Sequence, residues 1–274
     1  METIEVTENL PQSKRPEIFV LGAFDGVHLG HQHLLESARA YAEEGMDTAV
    51  CSLPSSSGLT SYQDQVRLLS ELGVDRFYYC TKPVAVQELI NNAQVSRLIV
   101  GKSTAAELPE LEVPVTVVED AEHQGAPITG SRIRELVEAG KMEAVQSMLG
   151  RPFELTGVVE KGEQLGRQLG FPTLNLGDIN EYAEVKPAVY LGTVQVKQAY
   201  YYTLISAGYR PVVNGSSYKV EAYVMDFSGD LYDQEVSVKF LRHLRDETDF
   251  QGLDVLVEQM KKDEQYAREI LGLA

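Results

Sequence analysis

The pattern of short apolar runs changes at Gly150-Arg151-Pro152, and this change restricts the possible folds more than any other feature. Before it, apolar runs such as Glu17–Gly22 and Asp47–Leu53 alternate with segments of helical spacing such as His31–Glu44. Strands that alternate with helices predict a buried parallel sheet whose strand-to-helix loops meet at one edge. We therefore expect a doubly wound α/β domain over residues 1–150.

After Pro152 the chain shows strands separated by turns and then one helical segment. We expect five strands, several of which alternate apolar with polar residues, over Phe153–Glu160, Tyr190–Val196, Tyr201–Ala207, Tyr218–Phe227 and Val236–Leu244. Spaced strands with turn residues between them predict a closed antiparallel β-barrel. We expect this barrel over residues 151–274, with a terminal helix at about Leu253–Leu271.

Charge and composition exclude some classes of partner. The 274 residues include 24 Lys and Arg against 41 Asp and Glu, a net charge of −17. Because this field repels phosphate backbones, we expect no nucleic-acid partner, although local donors or a metal ion can still hold a nucleotide. No run approaches the ~18 apolar residues of a membrane span, and Met1–Pro11 is polar and acidic, unlike a signal peptide.

The chain has two cysteines, Cys51 and Cys80. Two are too few for a disulfide scaffold or a cysteine-rich zinc site, and we expect both to be reduced and buried in strands. These features predict a cytoplasmic protein without a membrane partner. The sequence does not predict its oligomeric state.

A glycine-containing turn, Gly22–His31, lies between the first predicted strand and helix. Glycines let the backbone approach a ligand closely, and a helix N-terminus offers free N–H groups to phosphate. His28 and His31 can donate hydrogen bonds to phosphate oxygens. The alternative is a turn with two structural histidines.

Two segments of the first half resemble one enzyme family. Phe24–His31 (FDGVHLGH) resembles the first motif of the prokaryotic bifunctional riboflavin kinases/FMN adenylyltransferases, or FAD synthetases. Ile128–Arg134 is similar to the I-S-S-T-x-x-R element of the same family. The resemblance implies a nucleotidyltransferase-like (Rossmann-like) domain in which both histidines, Ser131 and Arg134 face ATP phosphates. We also expect Ser131 to cap the following helix. The alternative for this element is an ordinary cap with surface arginines.

The same half departs from the family at the flavin side. The F-D-P-H-P-like segment is replaced by Cys51–Ser57, and the G-x-D-F-x-F-G-like loop by Gly101–Glu107, which lacks its aromatic residues and aspartate. Adenylyl transfer needs both substrates aligned. FMN adenylyltransferase activity is therefore open at this point.

The second half keeps the kinase signature. Gly166–Asn175 (GRQLGFPTLN) closely resembles the riboflavin kinase motif G-R-x-L-G-F-P-T-A-N. The resemblance implies that Gly162 and Gly166 form a flap over ATP phosphates. Thr173 and Asn175 carry hard oxygen donors that Mg²⁺ accepts, and the family resemblance makes them its ligands.

Two later segments complete the resemblance. Val220–Phe227 resembles the family's E-x-x-x-x-D-F strand, which implies that Glu221 is the general base. Leu244–Phe250 resembles L-R-x-E-x-x-F, which implies that Arg245 and Phe250 line the flavin pocket.

The resemblance as a whole implies a riboflavin kinase that uses Mg²⁺ and ATP to make FMN. One alternative is a bifunctional enzyme that also makes FAD, and another is a flavin-binding regulatory protein without turnover. The family's R-P-T and G-V-Y segments are changed to Arg210-Pro211-Val212 and Ala188-Val189-Tyr190. Neither change removes Glu221 or the expected metal ligands.

Overall fold

The structure is a computed structural model, and it describes residues 1–6, 13–56, 58–82, 86–162, 166, 169–212 and 215–273. These residues form two compact units. The first contains residues 1–133 and 148–150, and the second contains 134–147 and 151–274. No helix in the described ranges is long and apolar enough to cross a membrane.

The first unit contains a six-stranded parallel sheet. Its strands are β1 (Glu2–Glu5), β2 (Glu17–Gly22), β3 (Asp47–Ser52), β4 (Arg76–Tyr79), β5 (Val95–Gly101) and β6 (Val115–Val118). They lie in the order β1-β4-β3-β2-β5-β6, and each neighbouring pair is parallel. A short hairpin, β7 (Glu122–His123) and β8 (Ala126–Pro127), follows.

Helices connect or follow these strands. They are α1 (Leu29–Tyr41), α2 (Tyr62–Glu71), α3 (Val86–Asn92), α4 (Lys102–Glu107), α5 (Gly130–Glu138) and α6 (Met142–Leu149). The central strand β2 is buried along its whole length. Its alternate residues enter two separate apolar clusters, Phe19 and Leu21 in one and Ile18 and Val20 in the other. The sheet is therefore covered on both faces, which explains its continuous apolar sequence.

The strand order places a topological switch point beside β2. The chain builds β3 and β4 on one side of β2 and then crosses to β5 on the other side. In such sheets, ligands bind outside the carboxyl ends of the strands at the switch point. Here those ends are Gly22 and Gly101.

The second unit is a closed six-stranded antiparallel barrel. Its strands are β9 (Phe153–Glu160), β10 (Thr173–Leu176), β11 (Ala188–Val196), β12 (Ala199–Val212), β13 (Gly215–Val224) and β14 (Glu235–Asp246). They run β10-β13-β12-β11-β14-β9, and β9 pairs with β10 to close the barrel. At Gly192 the strands pack so closely that a Cβ would lie 2.3 Å from the Lys239 carbonyl oxygen.

A long C-terminal helix, α7 (Leu253–Leu271), packs on the outside of this barrel. Its Ala267 is buried in a cluster with Leu191, Leu204 and Met225. Arg268 Nη2 also lies 2.6 Å from an Asp226 carboxylate oxygen. The helix therefore covers part of the outer surface formed by β11 and β12.

The predicted fold class is confirmed, with a parallel α/β sheet followed by a closed antiparallel barrel. Four short strands were not predicted. One is β1, inside the segment expected to be only polar; residues 7–11 of that segment lie outside the described residues. The others are β7, β8 and β10, whose two to four residues are too few to show a periodic pattern.

Candidate functional site

The expected metal ligands and the expected base lie side by side on the barrel. Asn175 of β10 is directly opposite Glu221 of β13. Thr173 Oγ1 donates a hydrogen bond to Glu221 Oε2 at 3.4 Å. Their sequence neighbours Leu174 and Ala222 are buried. Because side chains alternate along a strand, Thr173, Asn175 and Glu221 point to the outer surface.

The two glycines of the same motif also belong to this cluster. A Cβ on Gly162 would lie 2.5 Å from Asn175 Nδ2, and a Cβ on Gly166 would lie 3.4 Å from Thr173 Oγ1 and 2.3 Å from the Phe171 carbonyl oxygen. The backbone at both positions therefore runs directly against the polar side chains. Residues 163–165, 167 and 168 of this region lie outside the described residues.

The sequence prediction missed three residues of the barrel site, namely Ser206, Arg210 and Glu247. Arg210 Nη1 donates to Glu247 Oε1 at 2.9 Å and its Nη2 donates to Ser206 Oγ at 2.9 Å, while its Nε lies 3.7 Å from Glu221 Oε1. The segment Leu244–Phe250 contains Glu247, and its resemblance to L-R-x-E-x-x-F was a usable signal. The sequence gives no such signal for Ser206, because only the pairing of β12 with β13 places it opposite Glu221.

The expected flavin residues, Arg245 and Phe250, lie close together, and Arg245 also forms hydrogen bonds with another residue of the protein. Its guanidinium donates three hydrogen bonds of 2.8–3.0 Å to the Asp263 carboxylate on α7. The same guanidinium lies 5.7 Å from the centre of the Phe250 ring. Arg245 therefore anchors the C-terminal helix to β14.

Arg245 also shares a lateral row with Glu221. Ser206 pairs with Glu221 and with Val189, and Val189 pairs with Arg245. Neighbouring strands lie ~4.8 Å apart, so the three strand-to-strand steps from Glu221 to Arg245 amount to about 14 Å across the barrel surface.

In the first unit, His28 and His31 form the start of α1. His28 is the N-cap, and its Nδ1 accepts a hydrogen bond from the His31 N–H at 3.3 Å. The two rings stack with centroids 3.6 Å apart, and Phe24 stacks on His31 at 4.5 Å. A Cβ on Gly30 would lie 3.0 Å from the His28 ring and 3.4 Å from the Ile128 carbonyl oxygen. The histidine pair thus lies at the switch point beside the second family element.

The turn before these histidines is strained. Gly26 has φ +81° and Val27 has φ +39°. A β-branched residue with positive φ is an outlier that surrounding contacts must impose. Asp25 supplies such contacts, because its buried Oδ1 accepts hydrogen bonds from the N–H groups of Leu59 and Thr60, both at 2.9 Å. Asp25 was missed by the sequence prediction, although an aspartate inside a glycine turn is a usable signal.

The expected cap on α5 is wrong. The helix begins at Gly130, and the Thr129 hydroxyl accepts a hydrogen bond from the Arg132 N–H at 3.3 Å. Ser131 is therefore inside the first turn, where its hydroxyl lies 3.1 Å from that of Thr129. Thr129 takes the capping role because its hydroxyl lies one residue before the helix. Arg134 belongs to the second unit, and its Nε lies 2.7 Å from Glu138 Oε1.

The two altered segments of the first unit take regular positions around the parallel sheet. Lys102–Glu107 forms the short helix α4. Its N-cap residue, Gly101, makes no side-chain hydrogen bond to the helix. Cys51 and Cys80 are free and buried, with their Sγ atoms 3.6 Å apart. The hydrogen bond with Cys80 and burial raise the pKa of the Cys51 thiol well above its usual value. Ser57 of this segment lies outside the described residues.

Comparison with known proteins identifies related families for both parts of the chain. A riboflavin kinase family model matches residues 149–271, and an FAD synthetase family model matches residues 10–108. The bifunctional riboflavin kinase/FMN adenylyltransferase of Listeria monocytogenes is 28% identical over 92% of this chain and 91% of its own length. The Bacillus subtilis protein of the same name is 27% identical over 97% of each chain.

A solved structure shows the same fold. A crystal structure described as a macrolide-efflux protein from Streptococcus pneumoniae has a TM-score of 0.85 and 24% identity. It covers 98% of this chain and 99% of its own. At this identity the likeness concerns the fold alone.

The fold and the two matching family models place the chain among the nucleotide-dependent transferases. The chain belongs to the family of the bacterial bifunctional riboflavin kinases/FMN adenylyltransferases. Its function is that of an ATP-dependent riboflavin kinase.

Proposed function

We propose that the outer surface of the barrel at Thr173, Asn175 and Glu221 is the site where the γ-phosphate of ATP is transferred to the ribityl 5′-hydroxyl of riboflavin. One observation carries this proposal. Strand pairing brings the expected base directly opposite one expected metal ligand and within 3.4 Å of the other. Phosphoryl transfer depends mainly on positioning and charge stabilisation, and such a cluster can supply both.

In this reaction Glu221 accepts the proton of the 5′-hydroxyl as its oxygen attacks the γ-phosphorus. The new P–O bond gives FMN, and the bond to the β–γ bridging oxygen breaks to release ADP. A side chain at Gly162 would collide with Asn175, and one at Gly166 would collide with the Phe171 carbonyl oxygen beside Thr173. Glycine at both positions therefore keeps the backbone next to the expected metal ligands, where the ATP phosphates would bind. Arg245 and Phe250 line the part of the same surface that binds the flavin. Arg245 also holds α7 in place.

The residues present fit a magnesium ion. Thr173 Oγ1 and Asn175 Oδ1 are hard oxygen donors, and Mg²⁺ in kinases is usually held by one or two protein groups together with phosphates and water. In the part of the chain that the structure describes, no group of three or more His, Cys, Asp or Glu residues forms an all-protein metal cage. When bound, Mg²⁺ would neutralise charge on the transferred phosphate.

A product assay tests the kinase site. Purified protein is incubated with Mg-ATP and riboflavin, and the flavins are separated chromatographically. We expect FMN from the wild type and a loss of about 10²–10⁴-fold in kcat for Glu221→Gln, which keeps the shape but cannot accept the proton. Wild-type turnover by Glu221→Gln would overturn the role of this residue. Flavin binding without any product from the wild type would favour a regulatory protein.

A second candidate activity is FMN adenylyl transfer in the first unit. The observation that favours it is the stacked His28–His31 pair at the N-terminus of α1, beside the switch point of the sheet. In this proposal His28, His31 and Ser131 contact ATP phosphates. Incubation of FMN with Mg-ATP tests it, because FAD and pyrophosphate appear only if the altered Gly101–Glu107 segment still supports the reaction.

We further propose that the domains divide at residue 150, as 1–150 and 151–274. The compact units differ from this division only in placing residues 134–147 with the barrel. We also propose that the protein works in the cytoplasm, which agrees with its two free cysteines. ATP, riboflavin and FMN are its small-molecule partners.

A further inference from the structure

The guanidinium of Arg210 contacts three side chains on the outer surface of the barrel, beside the proposed kinase site. It donates to Glu247 Oε1 and to Ser206 Oγ, both at 2.9 Å, and its Nε lies 3.7 Å from Glu221 Oε1. Arg210 is therefore the cation between the expected base and a second carboxylate. The exposed fractions of the Arg210, Glu221 and Glu247 side chains are 36%, 28% and 37%, so the group is only partly open to solvent.

The backbone of β12 is shaped for this arrangement. Ser206 lies directly opposite Glu221, and Arg210 lies four residues further along the same strand, on the same face. Gly208 stands between them, and a Cβ there would lie 2.2 Å from Glu247 Oε1. The missing side chain leaves the space in which the Glu247 carboxylate reaches Arg210.

An arginine suits this position better than a point charge. Its planar guanidinium donates in fixed directions, and two of its three nitrogens are already held by Glu247 and Ser206. The remaining Nε edge therefore faces Glu221 with little rotational freedom. A carboxylate held in this way loses fewer orientations when it must accept a proton from a substrate.

We propose that Arg210 is a positioning residue for phosphoryl transfer, which orients the Glu221 carboxylate, and that Glu247 and Ser206 hold Arg210 in place. The proposal rests on the assignment of Glu221 as the base. Its effect passes through Glu221, so it predicts a loss in kcat and not in the affinity for ATP.

The first experiment compares Arg210→Ala with Arg242→Ala, an exposed arginine of β14 whose ion pair with Glu143 lies elsewhere on this unit. We expect Arg210→Ala to lower kcat about 10–100-fold with the KM values for ATP and riboflavin within about twofold of wild type. Added guanidinium chloride should restore part of the lost kcat, whereas an equal concentration of NaCl should not. Arg242→Ala should keep wild-type kinetics and show no rescue.

A double-mutant cycle separates the two proposals. If Arg210 acts through Glu221, then Arg210→Ala has no further effect in a Glu221→Gln background. Losses that multiply would overturn the positioning role, and so would a raised KM for ATP with unchanged kcat, which indicates phosphate binding by Arg210. Wild-type kcat in Glu221→Gln alone would instead refute the assignment of the base.

Folding is checked by melting temperature and circular dichroism. If Arg210→Ala does not fold, Glu247→Gln takes its place in the same cycle, because it keeps the side-chain size and weakens the hold on Arg210. A kcat loss that disappears in the Glu221→Gln background supports the proposal, and an unchanged kcat overturns it.

Discussion

Substituting Gly162 by alanine should separate activity from stability at the kinase site. The new Cβ would lie 2.5 Å from Asn175 Nδ2, 2.8 Å from its Cγ and 2.9 Å from its Oδ1. Ordinary contact begins at 3.4 Å, so the amide must move by about 1 Å. A misplacement of that size at a reacting centre can cost on the order of 10²-fold in rate.

The stability cost should be small, because the obstructing group is the free end of a side chain that can rotate away. We therefore expect Gly162→Ala to lower kcat for FMN formation roughly 100-fold, with the unfolding free energy changed by less than about 1 kcal/mol. Higher Mg²⁺ should recover part of the activity if the amide is a metal ligand. Product chromatography across a magnesium titration and urea unfolding measure the two effects.

Gly101→Ala is the matched control, since its Cβ would meet only Asp120 Oδ1 at an ordinary 3.8 Å. It should keep wild-type kinase activity. Full kinase activity in Gly162→Ala would refute the reasoning, because the Asn175 amide would then not need its present position. A large loss of stability would also refute it, because the contact would then not be relieved by rotation.

Three further experiments test the barrel. Gly192→Ala should destabilise it by roughly 1–3 kcal/mol in urea unfolding, because its Cβ meets a backbone carbonyl at 2.3 Å that cannot rotate away. Arg245→Ala and Asp263→Ala should each cost about 2 kcal/mol and together little more, since both break the same hydrogen bonds, and additive losses would contradict the helix anchor. The hydrogen bond from Arg268 lowers the pKa of Asp226 below its usual 3.8, so this pair stabilises the fold above about pH 4 and is lost as pH falls through the lowered pKa. The melting temperatures of wild type and Asp226→Asn should accordingly differ at pH 6 and converge as the pH falls through the lowered pKa of Asp226, and a constant difference would contradict this.

Much of the fold was predictable because its elements have clear periods. The bounds of β2, β9 and α7 match the predicted segments Glu17–Gly22, Phe153–Glu160 and Leu253–Leu271. Each of these segments packs against a core through its apolar residues. The strand β10 shows no such pattern, because it has four residues and lies between Pro172 and Gly177.

The candidate site was partly predictable for a different reason. The residue types that carry the chemistry are present in recognisable order, and the resemblance gave Thr173, Asn175 and Glu221. The contacts of Arg245 with Asp263 were not predictable, since α7 could pack on the barrel in several registers. The cap on α5 was misassigned because Thr129 and Ser131 are both competent capping residues, and only the helix start decides between them.

The sequence by itself determined which chemical groups exist and which local structures they favour. It supplies glycines where the backbone must approach other groups closely, hydroxyl and amide oxygens, and carboxylates on strands whose side chains alternate between two faces. The tertiary structure alone decided which of these groups meet. Thr173 and Glu221 are 48 residues apart, and Arg210 and Glu247 are 37 apart. Closure of the barrel sets the strand register, and a shift of one residue would turn Glu221 to the opposite face. That register depends on the packing of all six strands, so no local segment contains it.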